Sequence, residues 1–255
     1  MAQCVQVHKE NGIALVTLEN TPLNLISKQM VEELGQIAID LKHDPTTRVV
    51  IFTGAGNKAF AAGADINEFP EMVGNPYLIT QINKNHNVLS LIEQLTQPTI
   101  AVINGVALGG GCELILACDL RIAEEHAEFG FPEVKLGIMP GWGGTVKLPR
   151  LIGMAKAKEL MLLGENISSQ EAEQIGLVNM VVPTGQGIET AQMVAKRLAS
   201  YSSQSLTRIK ASLNYALNHS LAESIVYEAS LFAEIYKTED IKEGFKAFKE
   251  KDSPI

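Results

Sequence analysis

The stretch from Ile100 to Leu114 reads IAVINGVALGGGCEL and predicts a strand, a loop and the start of a helix. Its first four residues form a continuous apolar run, which is typical of a strand buried on both faces of a sheet. Asn104-Gly105 ends that strand, and the three glycines at 109–111 open the helix. Units of this kind belong to folds in which strands and helices alternate.

The same order recurs on both sides of this stretch. A further buried strand is predicted at 49–52, and short strands are predicted at 120–122 and 178–182. A helix is predicted from about Gln81 to Leu95, and an N-terminal hairpin is predicted where Asn11-Gly12 separates two runs of β-forming residues. The alternation predicts an α/β protein with a largely parallel sheet.

From Gly187 onward the chain predicts helices only, with cores at 192–198, 203–217 and 221–236. A strand-free C-terminal quarter predicts a helical subdomain added to the α/β part. We therefore divide the chain into an α/β core, residues 1–190, and a helical subdomain, residues 191–255.

Two serines predict helix starts. Ser168 is followed three residues later by Glu171, which is the pattern of a capping box. Ser27 precedes a helix with one apolar face, formed by Met30, Leu34, Ile37 and Leu41.

The bulk composition limits the class of protein. The 255 residues are 46% hydrophobic and carry a net charge of −8, which allows a sizeable core and argues against a basic nucleic-acid-binding surface. Cys4, Cys112 and Cys118 form an odd set without a Cys-x-x-Cys pair, which favours a reducing compartment. No apolar stretch reaches the ~20 residues that span a bilayer, and the N-terminus lacks a secretory pattern. We therefore expect a soluble, cytoplasmic protein.

Three segments hold more glycine than turns require: 59–66, 104–113, and 130–133 running on to 139–145. In the second, consecutive glycines before a helix allow a ligand to approach the backbone closely. The first N–H groups of that helix lack internal partners and form a place for an anion or a developing oxyanion, with Glu113 nearby. A second interpretation stays open, in which the glycines only allow tight helix–sheet packing and Glu113 pairs with the helix dipole.

Several other catalytic motifs are missing from the sequence. The glycines fit neither the G-x-G-x-x-G dinucleotide pattern nor a phosphate-binding loop with Gly-Lys-Ser/Thr. No G-x-S-x-G elbow occurs, and the histidines are scattered without metal-ligand spacing. We therefore predict no metal site.

Together the three segments resemble the enoyl-CoA hydratase/isomerase family, whose members are also called crotonases. The stretch from Ile100 to Leu114, followed by Ala117-Cys118-Asp119, is similar to the family signature almost position by position. The resemblance extends from Val5 to about Lys251. It implies a crotonase-like spiral of β–β–α turns, a C-terminal helical trimerisation subdomain, and a trimer or a dimer of trimers. The apolar surplus of the C-terminal helices also favours burial between identical chains.

The resemblance also implies a set of site residues. The backbone N–H groups of Ala64 and Gly110 would bind the thioester oxygen, and Glu113 and Glu133 would be the catalytic carboxylates. Asn67 departs from the family, because many relatives carry a lysine there, and one phosphate contact is therefore not carried over. Contacts with substrate are implied for Lys58, Ala62, Asp65, Ile66, Gly141, Trp142, Phe248 and Lys251; the last two match an element that touches the ligand of a neighbouring subunit.

We therefore expect an enoyl-CoA hydratase, which adds water across the 2-trans double bond to give a 3-hydroxyacyl-CoA. Family precedent assigns Glu113 to the attacking water and Glu133 to the proton on C2. Coenzyme A is part of the substrate, so no separate cofactor is expected. Two alternatives stay open: a double-bond isomerase that uses Glu133 alone, and a non-catalytic acyl-CoA- or RNA-binding relative. The intact glutamates argue against loss of chemistry, and the acidic composition argues against RNA.

Trp142, the only tryptophan, follows Pro140-Gly141 in the loop after Glu133. In one interpretation its ring covers the core beneath a flexible loop, since tryptophan is mostly buried in proteins. In the other, the ring forms a wall of the acyl pocket and favours short enoyl groups.

Overall fold

The computed structural model describes residues 3–250, in which strands of two β-sheets alternate with helices. The strands are β1 (Val5–Glu10), β2 (Ile13–Leu18), β3 (Val49–Gly54), β4 (Ala59–Ala61), β5 (Thr99–Ile103), β6 (Val106–Leu108), β7 (Leu120–Glu124), β8 (Glu128–Gly130), β9 (Ile167–Ser168) and β10 (Met180–Val182). The helices are α1 (Lys28–Lys42), α2 (Leu78–Glu93), α3 (Gly110–Ile115), α4 (Gly144–Ile152), α5 (Met154–Leu163), α6 (Ser169–Gln174), α7 (Gly187–Ala199), α8 (Ser203–Ala216), α9 (Leu221–Ile235) and α10 (Glu239–Glu250). Short 3₁₀ helices cover Ile66–Met72 and Pro132–Leu136.

The larger sheet has six strands in the order β1-β2-β3-β5-β7-β10. Only the β1–β2 hairpin is antiparallel, and the other neighbours are parallel. Asn11 and Gly12, in the hairpin turn, have φ of 50° and 77°, the positive values that favour this residue pair. The predicted α/β class, largely parallel sheet and hairpin are confirmed.

The smaller sheet has four strands in the order β4-β6-β8-β9. After β3, β5 and β7 of the larger sheet the chain adds a strand to the smaller one and then turns into helical structure, as in β3-β4-α2 and β5-β6-α3. This is the predicted spiral of β–β–α turns. The glycine-rich segments 59–66 and 104–113 were expected to be loops apart from the helix that opens at 109–111, and they also contain the strands β4 and β6. Strands of three residues are too short to produce a recognisable period in the sequence.

The central strands β3 and β5 of the larger sheet are buried at every residue, which explains their continuous apolar runs. Alternate residues of β3 face opposite sides: Val50 and Phe52 belong to the main core, whereas Val49 and Ile51 pack with α7. The boundary predicted between residues 190 and 191 falls inside α7, which lies on the sheet. The division into two parts remains a prediction.

The predicted helix start at Ser27 is confirmed, because the Ser27 hydroxyl accepts a hydrogen bond from Met30 N at 3.2 Å. Ser168 also accepts one, from Glu171 N, but the carboxylate of Glu171 pairs with Lys156 instead of completing a capping box. A complete capping box starts α9, between Ser220 and Glu223. The prediction was therefore right about the cap at Ser168 and wrong about the box.

The C-terminal helices confirm the prediction that the described chain is purely helical beyond Gly187. Helices α8 and α9 pack on each other. Lys210 joins α8 to the core, since its Nζ lies 2.7 Å from Asp119 Oδ2. Among residues 3–250, no helix combines the length and the apolar character that crossing a membrane requires.

Candidate active site

One cavity of about 270 Å³ collects most of the predicted site residues. Two larger cavities, of about 630 and 560 Å³, lie where α8 meets the core and are lined by none of those residues. Lys58 and Phe248 are exposed and, within residues 3–250, stand outside the lining of the smaller cavity, while Lys251 lies outside the described residues. The predicted residues that line it are Ala62, Ala64, Asp65, Ile66, Gly110, Glu113, Glu133, Gly141 and Trp142.

Two backbone amides meet at this cavity. Gly63 O and Asp65 N both bond to the backbone of Ile26, so the N–H of Ala64 points away from that bridge. Gly110 is the first residue of α3 and has no preceding turn to bond to. In the described chain neither amide has an acceptor. A Cβ placed on Gly110 would lie only 3.9 Å from Ala64 N, so the two amides are neighbours and can bind one oxygen.

The three glycines before Glu113 serve different purposes. Gly109 has φ of 48°, and a Cβ there would come within 2.5 Å of a Glu133 carboxylate oxygen. Gly111 has no room for a Cβ either, because the Ala61 carbonyl oxygen occupies that space. Gly111 therefore allows α3 to pack on β4, while Gly109 admits the Glu133 carboxylate. Of the two interpretations of the glycine run, tight helix–sheet packing therefore applies to Gly111, and close approach at the site applies to Gly109.

Glu113 is the fourth residue of α3, and it is only 3% exposed. Its Oε1 accepts hydrogen bonds from Trp142 N at 2.7 Å and Gly144 N at 2.8 Å. Burial raises the pKa of Glu113 to about 7, and the charge of Glu133 adds to this, although the two amides act in the opposite direction. A carboxyl with this pKa can exchange a proton near neutral pH.

Glu133 lies in the short 3₁₀ helix Pro132–Leu136, at the opposite end of the glycine run. Its Oε2 is buried and has no hydrogen-bond partner among the described residues. Burial raises the pKa of Glu133 as well, with a smaller opposing effect of a hydrogen bond from its own backbone. A buried carboxyl oxygen without a partner inside a cavity is available to a ligand.

Trp142 is 8% exposed and belongs to both the core and the cavity wall. Its indole N–H donates to Asn85 O on α2 at 2.6 Å, while its backbone N–H donates to Glu113. Its burial matches the first interpretation of this residue, and its place in the cavity wall matches the second.

Asp65 and Asn67 interact with each other at the edge of the cavity. The Asp65 carboxylate accepts from Asn67 N at 3.0 Å and from Asn67 Nδ2 at 2.8 Å, which caps the 3₁₀ helix Ile66–Met72. The asparagine that replaces the family's lysine thus has a local structural partner.

Sequence reasoning missed the apolar half of the lining. These side chains come from α1 and the residues just before it, from both 3₁₀ helices, from α2 and from the loop after Leu136, where they read as ordinary core or surface positions. No local signal distinguishes them, because only the folded chain brings these segments to the glycine-rich loops. They include Ile26, Val31, Phe69, Met72, Ile82, Leu136 and Ile138.

Comparison with known proteins adds sequence and structural matches over nearly the whole chain. A family model described as enoyl-CoA hydratase/isomerase matches residues 8–255. A short-chain-enoyl-CoA hydratase of Clostridium acetobutylicum is 40% identical over 252 residues, covering 97% of this chain and 95% of the relative. A mitochondrial enoyl-CoA hydratase of Pongo abelii is 39% identical, covering 95% of this chain and 83% of the relative. The crystal structure of an enoyl-CoA hydratase from Bacillus anthracis superposes with a TM-score of 0.93 at 40% identity, covering 99% of this chain and 98% of that one.

Proposed function

Because this chain belongs to the enoyl-CoA hydratase/isomerase family, we propose that it works as an enoyl-CoA hydratase, a hydro-lyase that converts a 2-trans-enoyl-CoA into a 3-hydroxyacyl-CoA. The observation that carries the proposal is the meeting of two unpaired amides, the buried carboxyl of Glu113 and the half-buried carboxyl of Glu133 in one cavity. Each of these groups has a separate part in adding water to a conjugated thioester.

The amides act on the carbonyl. The N–H groups of Ala64 and Gly110 donate to the thioester oxygen, where negative charge accumulates as the enolate forms. Preorganised donors of this kind contribute about 3 kcal/mol each to transition-state stabilisation. With the carbonyl polarised, C3 becomes electrophilic.

The carboxyls act on water and on C2. Glu113 is held by two amides through Oε1, and its Oε2 has no partner within residues 3–250, which leaves it for a water molecule. As the water oxygen bonds to C3, one water O–H bond breaks and its proton passes to Glu113. The proton of Glu133 then forms the new C2–H bond. Proton exchange between the two carboxyls through solvent restores the starting state.

This division requires an ionised Glu113 and a protonated Glu133. Both carboxyls have a raised pKa in the described structure, and two carboxyls in one dry site favour a single shared proton. The thioester, the water, the amides and the carboxyls supply the whole reaction, so we propose no separate cofactor. Coenzyme A enters only as part of the substrate.

The test is to add purified protein to crotonyl-CoA and to follow both the enone absorbance and the products. Hydration predicts loss of the absorbance with formation of 3-hydroxybutyryl-CoA, and the reverse reaction from that product. If crotonyl-CoA remained intact in the presence of correctly folded protein, the proposal would be contradicted.

The isomerase alternative is separated by a second substrate, a 3-enoyl-CoA. An isomerase converts it into the conjugated 2-enoyl-CoA without incorporating oxygen from ¹⁸O-labelled water. A hydratase incorporates the label when it forms the 3-hydroxy product. Binding of acyl-CoA without conversion of either substrate would favour the non-catalytic alternative.

We also propose a homotrimer or a dimer of trimers. Support comes from large apolar side chains that are more than half exposed on α8, on α9 and at the end of α8, namely Ile209, Leu213, Leu217, Leu221, Ile225, Val226 and Phe232. Burial of such a surface between identical chains is common. The free thiols of Cys4, Cys112 and Cys118 support the proposal of a cytoplasmic location.

A further inference from the structure

We propose that Trp142 determines the length of the acyl chain and restricts this enzyme to short enoyl groups. The inference rests on the proposed hydratase function and specifies its substrate class. It concerns the indole ring, because the backbone N–H of the same residue has a separate contact with Glu113.

A hydrogen bond holds the ring at its far end, and a second one holds the backbone of the same residue. Its indole N–H donates to Asn85 O at 2.6 Å, and its backbone N–H donates to Glu113 Oε1 at 2.7 Å. The residue is 8% exposed, so turning the ring away would leave a buried N–H without an acceptor. A ring held in this way cannot easily swing aside to admit a longer chain.

The ring also lies next to the reacting atoms. A Cβ placed on Gly110 would be 3.7 Å from Cε3 of the indole and 3.9 Å from Ala64 N. The ring thus borders the position of the thioester oxygen, and its backbone holds the carboxylate that activates water. Carbons 1 to 3 of the acyl group must therefore lie beside the indole, and the chain beyond C3 meets the same wall within a few carbons.

The size of the cavity leads to the same conclusion. Its 270 Å³ is slightly below the roughly 300–1,000 Å³ of pockets that hold drug-sized ligands. Apolar side chains that also line it, including Val31, Phe69 and Met72, limit it further. The space suits a thioester with a short acyl group, and the ring is the largest side chain that could be removed to enlarge it.

The experiment compares kcat/KM for trans-2-enoyl-CoA substrates from C4 to C10 in the wild type, Trp142→Ala and Trp142→Phe. One methylene that fits or fails to fit a pocket changes kcat/KM by roughly 10- to 200-fold. We expect the wild type to prefer C4, and Trp142→Ala to raise the C8-to-C4 ratio of kcat/KM at least tenfold. Trp142→Phe keeps a smaller ring and should raise the same ratio to a lesser extent.

Phe52→Leu is the matched control, because Phe52 is a fully buried aromatic residue of β3 that does not line the cavity. It should lower the melting temperature without changing the C8-to-C4 ratio. If Trp142→Ala does not fold, Trp142→Phe decides the question alone.

An unchanged ratio in both Trp142 variants, with activity reduced equally for every chain length, would overturn the inference and leave the hydratase proposal intact. A wild-type preference for C8 or C10 would also overturn it. Failure of the wild type to hydrate any enoyl-CoA would instead remove the proposed function, and this inference with it.

Discussion

Glu113 and Glu133 share a cavity but differ in how the protein holds them. Oε1 of Glu113 accepts hydrogen bonds from two backbone amides, whereas Oε2 of Glu133 is buried without a partner in the described chain. The fixed carboxylate suits the placing of a water molecule. The unpartnered one suits proton transfer with a carbon atom of the substrate.

Replacing each glutamate by glutamine should therefore give different losses. Glutamine keeps the shape but cannot take or give a proton, and general acid–base groups contribute typically 10²–10⁴-fold to rates. We expect Glu113→Gln to lose most hydration while exchange of the C2 proton with solvent continues in part. Glu133→Gln should lose both, and the exposed control Glu125→Gln should lose neither. Hydration of crotonyl-CoA at the wild-type rate by Glu113→Gln would show that the roles are wrongly assigned.

The raised pKa of Glu113 also makes the stability of the protein depend on pH. Burial moves this pKa from 4.5 to about 7, so between these values the folded chain binds more protons than the unfolded chain. The free energy of unfolding therefore falls as pH rises through this window, with a limit of about 3 kcal/mol from this group. Glutamine does not titrate, so the free energy of unfolding of Glu113→Gln does not fall in this way as pH rises. The melting temperature of the variant minus that of the wild type should therefore be larger at pH 8 than at pH 5. Parallel pH profiles for the two proteins would contradict the raised pKa.

At the scale of elements, the contact between α3 and β4 brings Gly110 and Glu113 to the cavity. It depends on Gly111, where a Cβ would overlap the Ala61 carbonyl oxygen. Because the atom that the new Cβ would overlap belongs to the backbone of β4, no flexible side chain can move away to make room. We expect Gly111→Ala to lower the free energy of unfolding by about 3 kcal/mol or more, within the range known for overpacking, or to prevent folding.

Gly244→Ala is the control for that substitution. Gly244 lies in α10, and a Cβ there would meet nothing within 4 Å. Alanine in a helix interior is preferred over glycine by roughly 0.5–1 kcal/mol, so this variant should be equal to the wild type or slightly more stable. Chemical denaturation of both variants measures the difference. Equal stability of Gly111→Ala and the wild type would show that α3 can move away from β4.

The same elements show what could be predicted from the sequence. Strand β5 and the start of α3 were predicted because an apolar run and a triplet of glycines are local signals. Strands β4, β6 and β8 have three residues each and become strands only by pairing with one another. Their pairing partners lie far apart in the chain, so no local pattern indicates them.

The site was predicted to a similar degree. The four residues that the resemblance assigned to catalysis, Ala64, Gly110, Glu113 and Glu133, all line one cavity, and their catalytic roles stay predictions. The resemblance did not find Asn85, whose backbone carbonyl holds the indole of Trp142, since a carbonyl carries no information about side-chain identity. Lys58 and Phe248 do not line the cavity of one chain, and their predicted roles in binding stay predictions.

At the scale of the whole molecule, helix α8 is held to the core by several polar contacts. Lys210 reaches Asp119 Oδ2 at 2.7 Å and the Gln97 carbonyl at 3.1 Å, and Thr207 donates to the Thr96 carbonyl at 3.1 Å. In contrast, Leu213 and Ile225 are 65% and 56% exposed. In the single chain these large apolar side chains stay mostly exposed, as is typical of a surface that another chain covers.

Assembly with identical chains would bury these apolar groups, and light scattering can measure it. We expect a mass of three or six times the 27.6 kDa monomer at micromolar concentration. Leu213→Glu places a charge on the exposed face of α8 and should shift the mass toward that of the monomer. Ile39→Glu alters a residue of α1 that is 41% exposed and should leave the mass unchanged. A wild-type mass of 27.6 kDa would mean that α8 and α9 keep their apolar side chains in solvent, and the proposed trimer would then be wrong.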